Sequence, residues 1–257
     1  MIARSMPSVC IIIPCYNEAS RLPVDTFLDY ARQHPTVQFC LVDDGSSDTT
    51  RTILEGMQST LPVQIIALIL GKNQGKAGAV RAGMLHMIRP ELQQANQLPD
   101  YLGFFDADLA TPLDAIGDLT QVLDTRPEID MVLGSRIKHL GADIQRKVFR
   151  HYSGRFIATL ISNILDLPVY DSQCGAKLFR RPIVSYLFSQ SFISPWLFDV
   201  ELLARLIQRY GHAEVLGHVA EFPLRQWTEK SDSRIQPSYY IKLWYELYRI
   251  YRHYRNV

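Results

Sequence analysis

The first half of the chain alternates between short apolar runs and longer amphipathic stretches, a rhythm that few fold classes accept. The runs "VCIII" (9–13), "VQFCLVD" (37–43), "VQIIALIL" (63–70), "YLGFFD" (101–106) and "IDMVLGS" (129–135) have strand length and are almost wholly apolar. Such strands are buried on both faces. Between them, "LPVDTFLDYARQH", "SDTTRTILEGMQ", "GKAGAVRAGMLHMI" and "PLDAIGDLTQVLD" space their apolar residues as helices do. Strands joined by helices of this length predict an α/β fold, a mostly parallel sheet with helices on both faces and right-handed crossovers. Open sheets of this kind bind ligands beyond the carboxyl ends of their strands.

The residues that need explaining gather at those ends: "PCYNE", "DDGSSD" and "DAD". In "YLGFFDADLATP", Asp106 and Asp108 flank Ala107 where a buried strand finishes, and unpaired carboxylates are costly there. On extended chain, residues i and i+2 point to one side, so the pair would repel unless a cation sits beside it. Mg²⁺ or Mn²⁺, which prefers oxygen ligands, resolves the repulsion and bridges to phosphate. A helix opening at Thr111 and Pro112 explains the threonine but not the aspartates.

The neighbouring motifs each leave two readings open. In "DDGSSD", Gly45 and Ser46 make a turn and Ser47 or Asp48 caps a helix; alternatively, Asp44 accepts a hydrogen bond from a nucleobase imide. In "PCYNEASRLP", Tyr16 packs over the strand end, or stacks on a base while Glu18 faces a ribose or orients a neighbour. "GKNQGKAGAV" is not a P-loop, because only three residues separate Gly71 from Gly75 and Ala77 follows Lys76. Lys72 and Lys76 are either solvated or close to a nucleotide phosphate.

Composition narrows the class. A formal net charge of +1 removes the global case for nucleic acid, so any anion must be met by local clusters. Cys10, Cys15, Cys40 and Cys174 form no CxxC pair and read as buried free thiols. No apolar stretch approaches the roughly 20 residues of a membrane span. A cytoplasmic protein is expected, with contact at the cytoplasmic face of a membrane left open.

From about Lys138 the pattern changes. A basic segment, "RIKHLGADIQRKVFRHYSGR", precedes a helix "FIATLISNILDL"; "DSQCGAKLFRR", a helix "FDVELLARLIQRYG", a strand "AEVLGHVAEFPL" and a loop "RQWTEKSDSRI" follow. The expectation is one domain over 1–257, with a nucleotide-binding half (1–136) and an acceptor-side half (137–257). Arg136, Arg146, Arg150 and Arg155 either hold a phosphate or form a solvated helix face. In the closing segment, Tyr240, Leu243, Leu247, Tyr251 and Tyr254 make a helical stripe, with Lys242, Arg249, Arg252 and Arg255 elsewhere. That helix lies in a membrane interface, or packs on its own domain or on a second subunit, which leaves a homodimer open.

Together PxYNE, DDGSSD, NxGK, DAD and GSR, in this order, resemble the family 2 glycosyltransferases of GT-A fold. "DSQCGAKLFRR", "WLFDVE" and "DADLATP" are similar to the dolichyl-phosphate glucosyltransferase branch and related polyprenyl-phosphate sugar transferases. The resemblance implies a UDP-sugar donor, with Pro14, Tyr16, Glu18 and Asp44 around the uridine and Lys76 near the nucleotide. It implies Asp106 and Ala107 near the ribose or metal, and Asp108 as a direct ligand of Mg²⁺ or Mn²⁺. Arg136, Arg146 and Arg150 would face a polyprenyl-phosphate acceptor, and Asp171 would lie near the sugar. Arg234 stands where the branch usually carries lysine, and keeps the charge. Asp199 either faces the acceptor or complements a helix dipole.

The family inverts, so a UDP-α-sugar would give a β-linked product by single displacement. An ionised lipid phosphate needs positioning more than deprotonation, whereas a sugar hydroxyl wants a carboxylate base. Three alternatives remain: a soluble sugar, metabolite or protein hydroxyl as acceptor; GDP-mannose as donor; or a non-catalytic nucleotide-sugar-binding protein. The intact acidic pair argues against the last.

Overall fold

The computed structural model describes residues 6–95, 97–145, 148–230 and 239–254, without the side chains of 148–153 and 239–242. In chain order come β1 (Val9–Cys15), α1 (Val24–Gln33), β2 (Val37–Asp43), α2 (Thr50–Thr60), β3 (Ile65–Ile69), α3 (Gly75–Met87), α4 (Pro90–Gln94) and β4 (Tyr101–Phe105). Next are α5 (Ala115–Thr125), β5 (Met131–Ser135), β6 (Asp143–Gln145), α6 (Val148–Leu165), β7 (Ala176–Arg180) and α7 (Arg181–Phe188). The chain continues through α8 (Phe198–Glu214), a 3-10 turn (Val215–Gly217), β8 (Val219–Pro223), β9 (Gln226–Thr228) and α9 (Tyr239–Tyr254). It packs as two compact units, Met1–Leu109 with Leu178–Ser189, and Ala110–Lys177 with Gln190–Val257.

In the first unit the strands lie in the order β3-β2-β1-β4-β7, with Leu178–Arg180 as its share of β7. Strand β1 runs parallel to β2 and β4, Val9 lying opposite both Val37 and Tyr101, and β3 runs parallel to β2. Parallel pairing carries the ends of β1, β2 and β4 to one edge, which gathers the polar motifs. Ile11, Ile12, Ile13, Phe39, Leu41 and Phe104 are fully buried, each such side chain contributing about 1.5–3 kcal/mol. Helix α3 lies close on this sheet because Gly83 faces it; a side-chain carbon there would collide with Ile12.

The second unit contains β7-β5-β8, with Ala176 and Lys177 as its share of β7, and a separate pair β6-β9. Strands β5 and β8 are parallel, Met131 opposite Val219, as are β6 and β9, Asp143 opposite Gln226. Helices α6, α8 and α9 pack against one another, burying Ile161, Leu165, Leu202, Leu206, Leu243, Leu247 and Ile250.

Several boundaries differ from the expectation. Residues 213–217 were read as the start of a strand, but Gly211 takes φ 77° and the chain returns to helical turns until β8. His218, just before that strand, stacks on Tyr210 with ring centroids 3.7 Å apart, and its Nδ1 lies 2.8 Å from Asp130. The helix expected at Pro112 begins at Ala115, after overlapping turns from Pro112, Leu113 and Asp114. Helix α6 begins inside the basic segment, at Val148. Strands β6, β7 and β9 and helices α4 and α7 had no reading of their own. All four cysteines are free and buried, and burial pushes the Cys174 thiol up to about 11 and Cys40 to about 12. Among the described residues, no helix is long and apolar enough to cross a membrane.

Candidate functional site

In the first unit the loops after β1 and β2 are laced together by hydroxyls and amides. The Asn17 N–H donates to Ser46 Oγ (3.0 Å), and Asn17 Oδ1 accepts from the Ser47 N–H (2.9 Å). The Glu18 N–H donates to Thr50 Oγ1 (2.8 Å), and the Thr50 hydroxyl donates to Asp48 (2.5 Å). Asn17 is held at φ 51°, sparsely populated for a residue with a Cβ. Tyr16 is exposed beside it, next to Pro14 at the end of β1. Glu18 is buried, and Arg21 grips both its oxygens, Nη2 at 2.6 Å from Oε1 and Nε on Oε2.

Asp44 is only 3% exposed. Its N–H donates to the Cys15 carbonyl (2.8 Å), and its Oδ1 accepts from the Gln74 N–H (2.7 Å). Burial raises its carboxyl above the ordinary range, opposed by the backbone N–H groups of Gln74 and Gly75. Gly45 holds the turn at φ 69°, and a Cβ there would sit 2.7 Å from the Asn73 nitrogen. Only glycine fits.

The carboxylates after β4 are arranged differently from the extended-chain expectation. The strand stops at Phe105, and residues 106–109 turn, with the Leu109 N–H donating to the Asp106 carbonyl (3.3 Å). Leu109 takes φ 51°, so the turn carries a local strain that its surroundings must hold. Asp106 and Asp108 therefore share a tight turn rather than one side of a strand. Ala107 between them is buried. Lys76, from the first turn of α3, places Nζ 2.5 Å from Asp106 Oδ1 and 5.9 Å from the centre of the Phe104 ring. Thus Tyr16, Glu18, Asp44, Lys76, Asp106, Ala107 and Asp108 all lie at the edge where β1, β2 and β4 end.

The second unit holds several of its charges in pairs. Arg136 forks onto Asp171, Nε to Oδ2 and Nη2 to Oδ1 at 2.6 Å each, and its backbone N–H reaches Oδ2 at 3.0 Å. The guanidinium lies 5.3 Å from the Trp227 ring centre. Glu221 fixes the loop before Asp171, accepting from the N–H groups of Tyr170 and Asp171 at 2.8 Å each; burial raises its carboxyl. Arg155 stacks 3.5 Å from the Tyr170 ring centre and donates to the Tyr170 carbonyl (3.1 Å). A basic residue expected to hold a phosphate thus braces its own loop.

Asp199 stands in the first turn of α8, as its helix-dipole reading expects. It is buried, 2.6 Å from Nζ of Lys177, which is itself wholly buried and donates to the Cys174 carbonyl (2.7 Å). A carboxylate compensated in this way holds the start of α8. Arg146 and Arg234 lie outside the described residues, as does the side chain of Arg150. Sequence reasoning missed Arg21, Thr50, Lys177 and Glu221. The signal for Lys177 was a charge inside the apolar run "AKLF"; Thr50 and Glu221 left none.

Residues 10–188 match the family described as glycosyl transferase family 2. The chain belongs to this family. A dolichyl-phosphate beta-glucosyltransferase of Trichomonas vaginalis is 33% identical to this glycosyltransferase over 256 residues, covering 95% of this chain and 71% of that protein. The Homo sapiens dolichyl-phosphate beta-glucosyltransferase is 31% identical over 242 residues, covering 88% and 69%. A crystal structure of Mycobacterium tuberculosis glucosyl-3-phosphoglycerate synthase with Mn²⁺, UDP-glucose and phosphoglyceric acid aligns with TM-score 0.66 at 13% identity, covering 98% of this chain and 80% of that one. At that identity the likeness speaks to the fold, which is GT-A.

The turn after β4 of this family 2 enzyme fits a hard divalent cation, because Asp106 and Asp108 offer carboxylate oxygen alone. Among the described residues, no group of three or more His, Cys, Asp or Glu side chains could hold an ion. A cation there would draw its other ligands from water and from diphosphate.

Proposed function

We propose that this glycosyltransferase moves glucose from UDP-glucose to a polyprenyl phosphate of the dolichyl type, inverting the anomeric carbon to give a β-linked product. The observation that carries this reading is the 33% and 31% identity, across most of the chain, to proteins named dolichyl-phosphate beta-glucosyltransferase. The donor falls to the first unit. Tyr16 offers a ring to the uracil, and the Asp44 carboxylate accepts the imide N–H from a position fixed by the Gln74 amide. Pro14 shapes the end of β1 beneath the base, and Glu18, clamped by Arg21, holds the loop that carries Tyr16.

Lys76 exchanges Asp106 for the diphosphate when the donor arrives, keeping a positive charge where negative charge grows as the bond to the sugar breaks. Asp108 and Asp106 would hold a Mg²⁺ or Mn²⁺ ion, which would supply further Lewis-acid charge against the leaving diphosphate. Arg234 would add to this charge, and Arg146 and Arg150 would face the acceptor phosphate. In the second unit, the Arg136–Asp171 fork keeps the guanidinium in one orientation toward that phosphate. The lipid phosphate is already ionised, so these residues position a nucleophile and no general base is needed.

The test is transfer of label from UDP-[¹⁴C]glucose to a short-chain polyprenyl phosphate in detergent, with Mg²⁺ or Mn²⁺. Label is expected in the organic phase. Label confined to a new water-soluble product would overturn the lipid acceptor, and transfer only from GDP-mannose would overturn the donor. Nucleotide-sugar binding without any transfer would leave a binding protein.

A further inference from the structure

The second unit presents an aromatic face that its own packing does not use. In α9, Leu243 and Leu247 of the stripe read from the sequence are buried against the neighbouring helices together with Ile250, while Tyr251 and Tyr254 are half-buried and the side chain of Tyr240 lies outside the described residues. The opposite side of the same helix exposes Trp244 (52%), Tyr245 (63%) and Tyr248 (53%), and α6 exposes Phe156 (64%). The Phe156 and Trp244 rings meet edge to face with centroids 6.4 Å apart, joining the two helices into one patch. Scattered exposed apolar residues need no explanation, but four large aromatics in one place do.

The exposed charged side chains described along α9 are all basic. Arg249, Arg252 and His253 are exposed along α9, with the Arg249 guanidinium 5.9 Å from the Tyr245 ring centre. The sequence of α6 contains no acidic residue. That of α9 contains a single one, Glu246, which is buried and accepts from the Ser194 hydroxyl. A second copy docking α9 against α9 by a two-fold axis would set these arginines against their own counterparts. Tryptophan and tyrosine side chains, apolar with one polar edge, suit the boundary between lipid headgroups and acyl chains. Arginines beside them suit anionic headgroups.

We infer that this face of α6 and α9 docks the enzyme on an anionic phospholipid bilayer. The inference deepens the acceptor reading and rests on it for purpose: a lipid phosphate is met at the surface where it resides.

The experiment floats the full chain with phosphatidylcholine vesicles, with and without phosphatidylglycerol, and repeats this for Trp244→Ser/Tyr248→Ser, Phe156→Ser and Arg249→Gln/Arg252→Gln. The native chain should float with both vesicles and more strongly with the anionic ones. The aromatic double substitution should lower partitioning about ten-fold or more, and the arginine pair should remove the preference for anionic lipid. Circular dichroism checks that each exposed-site variant is folded, with Tyr245→Ser as the replacement for any that is not. Absence of flotation in the native chain, or equal flotation of native and aromatic variants, would overturn the inference. So would disulfide cross-linking of Trp244→Cys into a dimer, which would give the face to a second copy. Transfer to the short-chain acceptor in detergent is read in parallel. Loss of flotation with transfer intact supports the face, whereas flotation without lipid transfer removes the acceptor reading alone.

Discussion

In the first unit, Asp106 and Lys76 form an ion pair whose side chains remain 40% and 30% exposed. In the second, Asp199 and Lys177 form a pair of nearly the same length with 6% and 0% exposed. The difference lies in what each pair can exchange. A part-exposed pair is screened by water, is worth little to stability, and releases its lysine to a competing anion at small cost. A buried pair has lost its hydration, so removing one member strands a charge where nothing replaces the partner. The same two residue types are therefore suited to ligand exchange in one unit and to architecture in the other. The Arg136–Asp171 fork is intermediate, braced by Glu221 behind its loop.

The sharpest way to break this comparison is Asp108→Ala. Turnover should fall by about a thousand-fold or more, while the thermal midpoint stays within about 3 °C; transfer assays and melting curves read the two. Near-native turnover would take the turn out of the chemistry. Next in size is Lys177→Ala, which strands Asp199 and should cost about 3–5 kcal/mol in urea unfolding. The double substitution Lys177→Met/Asp199→Leu should regain most of that, with transfer within a few-fold of native. A double variant that is folded but inactive would return Asp199 to the reactants.

Arg136→Lys tests the intermediate case. Lysine keeps the charge and loses the fork, so kcat/KM should fall about ten-fold, chiefly through KM for the acceptor. An unchanged KM would make the fork purely a brace.

The smallest expected effect is a pH dependence at Asp44. Burial raises its folded-state pKa, so its contribution to stability is fully present below the unfolded value of about 4 and is lost as pH rises through the folded one. On the proposed reading, donor binding has the opposite sign, because the carboxylate accepts the imide N–H more strongly than the neutral acid does. UDP affinity should weaken by a few-fold as pH falls through that raised pKa, while Asp44 itself favours folding there. Titration calorimetry and thermal melts across the acid range check both slopes, and Asp44→Asn should flatten both. Parallel slopes would mean that UDP is lost through unfolding rather than through this carboxylate.

Much of the first unit was legible because its structure is local. The limits of β2, 37–43, coincide with the run read from the sequence, since a seven-residue run with five apolar residues between turn formers leaves one option in a buried parallel sheet. The strand of the DAD motif was also correct, but the geometry of its aspartates was not. Whether the chain stays extended past Phe105 depends on the left-handed Leu109 and the carbonyl of Asp106, which no period reveals. In the second unit, β6, β7 and β9 are too short or too charged to show a period. Residues 213–217 carry an apolar content that suits strand and helix alike.

The sequence by itself determined the α/β order, the edge at which polar residues collect, and which residue types could meet a nucleotide or a phosphate. Those follow from periodicity and from the direction of parallel strands. Only the tertiary structure decided which charges face water and which are spent on one another. Lys177 and Lys76, Asp199 and Asp106 are the same letters in the chain. Their desolvation, set by elements distant in sequence, separates the pair that holds a helix from the pair that can receive a ligand. The same folding buried the apolar stripe of α9 and turned its aromatic side outward, to the surface proposed to meet lipid.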